Sequence, residues 1–302
     1  MTDIGLMVEG QWGLTWERWR KLLQAAEDFG YQCVFRSDHY TIGPPDMESL
    51  ETWISLTYAA TQTRRIEFGP LVSPVTFRQP ILTARMAAQV DDLSGGRLVL
   101  GLGAGWHERE HRQFGIPFYD RRTRFEMFED ALEITTRLYK SEEPVTYQGR
   151  HFSLEEAVLL PRPQRAGGPP ILIGGKGKRR TLPLAAKYAD EWNVPHVSPA
   201  EYRELNNYLT ELLEQEGRDP RSVKRSLMAQ VIYGRTEAEV REKQERLNRT
   251  QTHLVGVGSQ LVDLLGEYVD AGVERFMLMW IDQDDIAGLE SMARDVLPHF
   301  HG

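Results

Sequence analysis

The chain has almost no cysteine, because Cys33 is the only one among its 302 residues. An intramolecular disulfide is therefore excluded, and a single thiol is typical of proteins in a reducing compartment. Cys33 falls within a predicted strand, so we expect it to be buried in the core and not to act as a nucleophile. The first residues lack the basic and apolar segments of a secretory signal peptide. We therefore expect a cytoplasmic location.

Positive charge and long apolar runs are also scarce. The 36 lysine and arginine residues are outnumbered by 44 aspartate and glutamate residues, which gives a net charge of −8. This charge argues against nucleic acid or an anionic membrane as the partner. No apolar run approaches the roughly 18 residues that a membrane-spanning helix needs. The remaining composition, 41% hydrophobic and 26% charged, is that of a globular protein.

Predicted strands alternate with predicted helices along the whole chain. Short apolar runs typical of buried strands begin near positions 4, 32, 66, 98, 171, 191, 225 and 274, and a stretch with helical periodicity follows each one. Eight such units without a linker predict an α/β fold, a (β/α)8 TIM barrel forming a single domain over residues 1–302. Residues 145–154 are predicted to form a small β-hairpin inserted outside the barrel. A doubly wound open sheet is the alternative.

Local signals place the ends and faces of several predicted helices. Thr15 is a predicted N-cap, and Ser198 is another. Pro80 suits the first turn of a third helix. The apolar spacing of that helix predicts a buried stripe made of Leu82, Met86, Val90 and Leu93.

A glycine-rich strand, residues 95–106 with the sequence GGRLVLGLGAGW, is the most unusual stretch of the chain. Gly101, Gly103 and Gly105 alternate with Leu102 and Ala104. Glycine weakens a strand, so its repetition indicates that something approaches the backbone closely. A flat ligand and tight packing between helix and sheet both explain it, and the pattern alone leaves the two open.

A second glycine-rich segment, Gly174 and Gly175 followed by Lys176 and Gly177, joins a predicted strand to a predicted helix. Backbone N–H groups at such a position bind anions, which predicts a phosphate site. The basic residues at 178–180 agree with this, because cations in a first helical turn oppose the helix dipole by ~0.3–1 kcal/mol each unless an anion is bound. A glycine turn with exposed basic residues is the alternative.

Histidine residues suggest two further sites. Asp38 and His39 follow the second predicted strand, where a histidine beside a carboxylate can exchange a proton near neutral pH. The alternative is an N-cap aspartate beside a histidine with only structural contacts. His107, Glu108 and His111 match the H-E-x-x-H pattern of zinc hydrolases. Gly115 and Pro117 limit any helix there to about two turns, which argues against zinc.

Several of these segments together resemble the bacterial luciferase-like flavin and deazaflavin oxidoreductases, most closely the branch that uses the deazaflavin coenzyme F420. The resemblance covers nearly the whole chain in order and rests on residues 36–40 (RSDHY), 69–78 (GPLVSPVTFR), 93–97 (LSGGR), 101–106 (GLGAGW), 170–175 (PILIGG) and 189–193 (ADEWN).

The resemblance implies a role for each of these segments. Leu71 and Val72 would be joined by a non-prolyl cis peptide that bulges against the cofactor ring. Asp38 and His39 would approach the reacting edge of the ring, with His39 placed for proton transfer. The ring and its side chain would be lined by the residues Ala104, Gly105 and Trp106. The phosphate would be bound by the loop residues Gly174, Gly175, Lys176 and Gly177.

The activity implied by the resemblance is hydride transfer between coenzyme F420 and a small organic substrate, in a homodimer. An FMN-dependent monooxygenase on the same barrel is the alternative, and a zinc hydrolase is a further one. Relatives that oxidise sugar phosphates have a glutamate where this chain has Trp106 and an aromatic residue where it has Gly43. The chain is therefore unlike a sugar-phosphate dehydrogenase, and its substrate is not specified.

Overall fold

The computed structural model of the chain describes residues 2–248 and 254–300. The strands within these residues are β1 (Asp3–Val8), β2 (Cys33–Arg36), β3 (Glu67–Pro70), β4 (Ser73–Pro74), β5 (Leu100–Gly103), β6 (Val145–Gln148), β7 (Ser153–Ala157), β8 (Ile171–Gly174), β9 (Glu191–Pro195), β10 (Lys224–Tyr233), β11 (Leu254–Gly256) and β12 (Arg275–Trp280).

Helices follow most of the strands, as the alternation predicts. They are α1 (Trp16–Phe29), α2 (Thr52–Gln62), α3 (Pro80–Ser94), α4 (Glu108–Gln113), α5 (Arg121–Lys140), α6 (Thr181–Tyr188), α7 (Pro199–Gln215), α8 (Glu237–Arg246), α9 (Gly258–Asp270) and α10 (Ile286–Val296). No helix among the described residues has the length and apolar character needed to cross a membrane.

The main sheet is an almost closed parallel barrel. Its strands follow the order β3-β2-β1-β12-β10-β9-β8-β5-β4, and every neighbouring pair is parallel. Backbone hydrogen bonds at Phe68 join β3 to the chain just before β5 and close the ring. The predicted α/β barrel is confirmed, and so is the antiparallel hairpin of β6 and β7 outside it. The predictions do not include β11, a short strand beside β10.

The predicted helix ends are confirmed where a local signal exists. The Thr15 hydroxyl accepts a hydrogen bond from the backbone N–H of Arg18, and the Ser198 hydroxyl accepts one from the N–H of Glu201. Gly30 ends α1 with a φ of 91°, a left-handed conformation that glycine adopts without steric cost.

The predicted buried face of α3 is confirmed for Val90, which is buried, and for Met86, which is half-buried, but it is wrong for the two leucines. Leu82 and Leu93 are each 53% exposed, whereas Ala84, Ala87 and Ala88 are buried against the barrel. Small side chains let a helix approach a sheet closely, so an alanine-rich face packs inward although leucine is more hydrophobic. Leu93 instead borders an exposed apolar groove between α2 and α3.

Charged residues occupy the N-terminal end of the barrel, each at the first position of its strand. Arg275 donates to carboxylate oxygens of three residues, Asp3, Glu67 and Glu191. Lys224 also binds Asp3, at 2.5 Å. We call these five residues the N-terminal cluster. Cys33 lies nearby inside the barrel, where burial raises the pKa of its thiol to about 12, as expected for a core residue.

Candidate active site

A cavity of about 340 Å³ opens at the C-terminal end of the barrel strands. This is the end at which (β/α)8 barrels carry their active sites. Most of the predicted site residues lie on its wall, namely Asp38, His39, Leu71, Val72, Ala104, Gly105, Trp106 and Gly174. Gly175, Lys176 and Gly177 lie outside the wall. Segments that are far apart in the sequence therefore line the same cavity.

The Leu71–Val72 peptide is cis, as the resemblance implies, and it interrupts the strand between β3 and β4. The Val72 side chain projects across the glycine-rich strand. A Cβ added at Gly103 would lie 2.5 Å from Val72 Cγ2, and one added at Gly101 would lie 2.0 Å from the Pro70 carbonyl oxygen. The two glycines are therefore required by the packing of the chain itself. This favours the packing explanation of the glycine pattern at both positions.

The Asp38 carboxylate is buried and fully engaged. Arg78 donates to both of its oxygens, and the Ser73 hydroxyl donates to Oδ2 at 2.7 Å. Arg78 also binds Glu51, the N-cap residue of α2. Burial lowers the pKa of Arg78, but the adjacent Asp38 carboxylate outweighs this and the pKa is raised. The resemblance implies that this carboxylate approaches the reacting edge of the cofactor ring. In the structure both of its oxygens already accept hydrogen bonds from the protein, so Asp38 supports the cavity wall.

His39, in contrast, has one nitrogen bound and one open. Its Nδ1 lies 2.7 Å from Glu110 Oε1, and the other oxygen of Glu110 accepts the backbone N–H of Tyr40 at 3.0 Å. Within the described part of the chain, His39 Nε2 makes no hydrogen bond and is not among the buried unpaired atoms. Since His39 lines the cavity, Nε2 is accessible from it.

The environment of His39 favours its protonated form. Burial lowers its pKa, but the hydrogen bond to Glu110 and the negative charges of Glu110, Glu9 and Asp38 raise it more, so the pKa lies above its ordinary value of 6.5. His107, whose ring centroid is 6.1 Å away, has a lowered pKa because of its burial. Of these two histidines, His39 is therefore the one whose surroundings favour the protonated form.

The zinc interpretation of residues 107–111 does not hold. Both ring nitrogens of His111 are engaged, Nδ1 with the His107 carbonyl oxygen and Nε2 with the Thr76 hydroxyl, each at 2.8 Å. Glu108 is exposed, and Glu110 binds His39. The described residues contain no group of three or more His, Cys, Asp or Glu side chains that could hold a metal ion.

The loop after β8 differs in part from the predicted phosphate site. The Gly175 N–H donates to the Asn193 carbonyl oxygen at 2.8 Å, because the pairing of β8 with β9 continues into the loop, so it is not available to a phosphate. Lys176 binds Glu201, and Lys178 binds Glu204. The helix begins only at Thr181. The basic residues at 178–180 therefore precede the first turn, and Lys178, like Lys176, already has a carboxylate partner.

Other donors of this loop are available. Within the described residues, the backbone N–H groups at positions 176–179 donate to no protein acceptor. Arg121 and Arg124 of α5 stand on the cavity wall, and Arg124 Nε is buried without a hydrogen-bond partner. Burial and the charge of Arg121 lower the pKa of Arg124. The cavity wall thus offers the positive charge of Arg121 and Arg124 to an anionic ligand, and the loop that continues from Gly174 offers unpaired N–H groups.

Sequence reasoning missed several residues of the site. Glu110 occupies one of the two unspecified positions of the H-E-x-x-H pattern, so the pattern gives it no role. Arg78 is forty residues from Asp38 in the sequence. Arg121, Arg124 and Phe125 lie in the first two turns of α5, a helix in which the sequence predicts no site residue. The Arg-x-x-Arg spacing at 121–124 is the one local signal that could have indicated them, since it places both side chains on one helical face.

Comparison with known families gives a direct match. The family model described as "Luciferase-like monooxygenase" matches residues 4–262. A 4-hydroxyprotoasukamycin monooxygenase from Streptomyces nodosus subsp. asukaensis is 34% identical over 176 residues, which are 58% of this chain and 46% of that protein. The chain thus aligns with less than half of that relative.

Solved structures share the fold at low sequence identity. An F420-dependent secondary alcohol dehydrogenase in complex with an F420-acetone adduct has a TM-score of 0.88 at 18% identity and is covered to 99%, with 100% of this chain. A riboflavin lyase with modified FMN and riboflavin has a TM-score of 0.85 at 16% identity and is covered to 91%, with 99% of this chain.

Proposed function

Since this chain belongs to the luciferase-like monooxygenase family, we propose that it is an oxidoreductase that transfers a hydride between coenzyme F420 and a small organic substrate. The observation that carries the proposal is the juxtaposition of His39 Nε2 with the Leu71–Val72 bulge on one cavity wall. When bound, the deazaflavin supplies the hydride chemistry at its C5. His39 would hold or release the accompanying proton at Nε2.

The residues of the cavity fit such a cofactor. A flat ring system finds a cavity of about 340 Å³ bordered by Val72, Ala104 and Gly105. A phosphate would be bound by the N–H groups at positions 176–179 and by the buried, unpaired Nε of Arg124. We assign the phosphate to Lys176, Gly177 and Arg124, with Gly174 beside them and Gly175 in a structural role.

Trp106 gives a direct binding readout, because its indole lines the cavity and is 62% exposed. We would titrate the purified protein with coenzyme F420 and with FMN and follow tryptophan fluorescence. Tight F420 binding with weak FMN binding is expected. A Trp106→Phe variant, whose binding is followed by the absorbance of the cofactor, should lose most of the fluorescence change. If neither cofactor binds, the proposal is overturned.

An FMN-dependent monooxygenase is the second candidate. It is favoured by the 34% identity to a monooxygenase, which exceeds the identity to the F420-dependent structure. Preferential FMN binding, followed by oxygen uptake with reduced FMN, would establish this second function instead.

The organisation of the protein forms part of the same proposal. We propose a cytoplasmic homodimer in which residues 1–302 form one barrel domain. Light scattering during size-exclusion chromatography would test the dimer, and a monomer at micromolar concentration would contradict it.

A further inference from the structure

We propose that Glu110 is a positioning residue for His39: its carboxylate holds the imidazole through Nδ1 and leaves Nε2 as the nitrogen that exchanges a proton with a bound ligand. The contact rests on geometry in the free protein. The assignment of that proton exchange to a reaction rests on the proposed function.

The two oxygens of Glu110 join successive residues of the loop after β2. Oε1 lies 2.7 Å from His39 Nδ1, and Oε2 accepts the Tyr40 N–H at 3.0 Å. Glu110 is 1% exposed, so water does not compete for these contacts. The carboxylate therefore fixes both the ring of His39 and the backbone that carries it.

The chemistry of the acceptor determines the tautomer of His39. An ionised carboxylate accepts hydrogen bonds and donates none, so the proton must reside on Nδ1. In the neutral imidazole, Nε2 then carries a lone pair directed away from Glu110. In the charged form, Nε2 carries the proton that can leave. The same carboxylate thus makes Nε2 the exchanging nitrogen in both protonation states.

Charged groups from several elements face His39, and Glu110 is the one in hydrogen-bond contact. Glu9 follows β1. Asp38 directly precedes His39 in the chain, but Arg78 offsets the charge of its carboxylate. His107, whose ring centroid is 6.1 Å from that of His39, has a lowered pKa. Trp106 packs edge-on against His39 with centroids 5.6 Å apart and contributes no charge. Removal of the Glu110 charge should therefore dominate any change at His39.

The test is an NMR titration of the cofactor-free protein labelled with 15N-histidine, with the His39 signals assigned by a His39→Asn variant. In the wild type, neutral His39 should be protonated on Nδ1. In Glu110→Gln, the amide has one acceptor oxygen for two donors, so the pKa of His39 should fall by about one pH unit or more and the tautomers should mix. Glu110→Asp should restore part of the wild-type behaviour.

Glu108→Gln is the matched control, because it removes the same charge from an exposed position of the same helix and should leave His39 unchanged. Unchanged pKa and tautomer in Glu110→Gln would overturn the proposal. If that variant does not fold, the wild type still decides, since an Nε2-protonated neutral His39 contradicts the assignment. If the NMR result is as expected but turnover does not respond to Glu110→Gln, the positioning stands and the proposed role of His39 in the reaction fails.

Discussion

Arg275 at the N-terminal end of the barrel and Arg78 at the C-terminal end each bind more than one carboxylate. Every donor nitrogen of Arg275 goes to a carboxylate of the N-terminal cluster, and its side chain is 3% exposed. Arg78 engages Asp38 and Glu51 beside an open cavity. The first arrangement joins strand ends. The second supports a wall on which Nε2 of His39 is left accessible.

The two ends show that similar ion pairs serve different purposes according to what stands beside them. Replacing a residue of the N-terminal cluster should change stability alone. Replacing a residue at the C-terminal end of the barrel strands should change turnover or binding. Four substitutions test this separation.

The largest effect is expected at the cavity end. In His39→Asn, the amide can still donate to Glu110 from near the position of Nδ1, but the titrating Nε2 is lost. Loss of a general acid or base lowers turnover about 10²- to 10⁴-fold. Steady-state kinetics would measure this, with cofactor affinity close to wild type. Turnover within about twofold of wild type would place the proton transfer elsewhere.

At the N-terminal end of the barrel, Arg275→Met should leave the Glu67 and Glu191 carboxylates without their ion-pair partner, while Asp3 keeps Lys224. Removing one member of a buried ion pair costs about 3–5 kcal/mol of unfolding free energy. Urea denaturation would measure the loss, and turnover well below the melting temperature should be unchanged. Arg221→Met is the control, because that side chain is 90% exposed and surface pairs contribute about 0–1 kcal/mol. A turnover defect in Arg275→Met would break the separation of the two ends.

A smaller effect is expected where the strand passes beneath Val72. Gly103→Ala would place a Cβ 2.5 Å from Val72 Cγ2. Overpacking of this kind costs about 1–3 kcal/mol, and displacement of Val72 should also weaken ligand binding. Gly266→Ala is the opposite case, since a Cβ in α9 meets nothing within 4 Å and should stabilise the helix by about 0.8–1 kcal/mol. Ligand binding at wild-type strength in Gly103→Ala would contradict the assignment of Val72 to the cavity wall.

The smallest effect concerns pH. Because the folded pKa of His39 is raised, its ion pair stabilises the protein fully below the unfolded pKa of about 6.5 and loses that contribution as pH rises through the folded value. The stability difference between wild type and Glu110→Gln should therefore be larger at pH 6 than at pH 9, changing by at most about 1.4 kcal/mol per pH unit. Denaturation of both proteins across this range would measure it, and a difference independent of pH would count against a charged pair.

Periodicity and capping predict the barrel because each signal lies within one element. Thr15 and Gly30 delimit α1 by contacts with near neighbours in the chain. The exposure of Leu82 and Leu93 on α3 shows the limit of hydrophobic spacing, since close approach to the sheet decides which side of the helix is buried. The strand β11 has three residues, too few for a periodic signal.

The site could be predicted where residues follow a strand directly, as His39 and Val72 do. Its partners could not, because Glu110 reaches His39 across 71 positions and Arg78 reaches Asp38 across 40. The resemblance also assigns more phosphate-binding groups to the loop after β8 than are available there. The Gly175 N–H binds a residue of β9, and the Lys176 ammonium binds a residue of α7. The sequence of the loop itself does not indicate these partners.

The enclosed thiol of Cys33 has a practical consequence for chemical labelling. Maleimides and similar reagents react with the thiolate, which an enclosed group with a pKa of about 12 does not form at neutral pH. The chain has no other cysteine, so the wild-type protein should remain unlabelled while it is folded. A cysteine introduced at exposed Glu108 would then be the sole reactive position, and a fluorophore attached there would report on α4 beside the cavity.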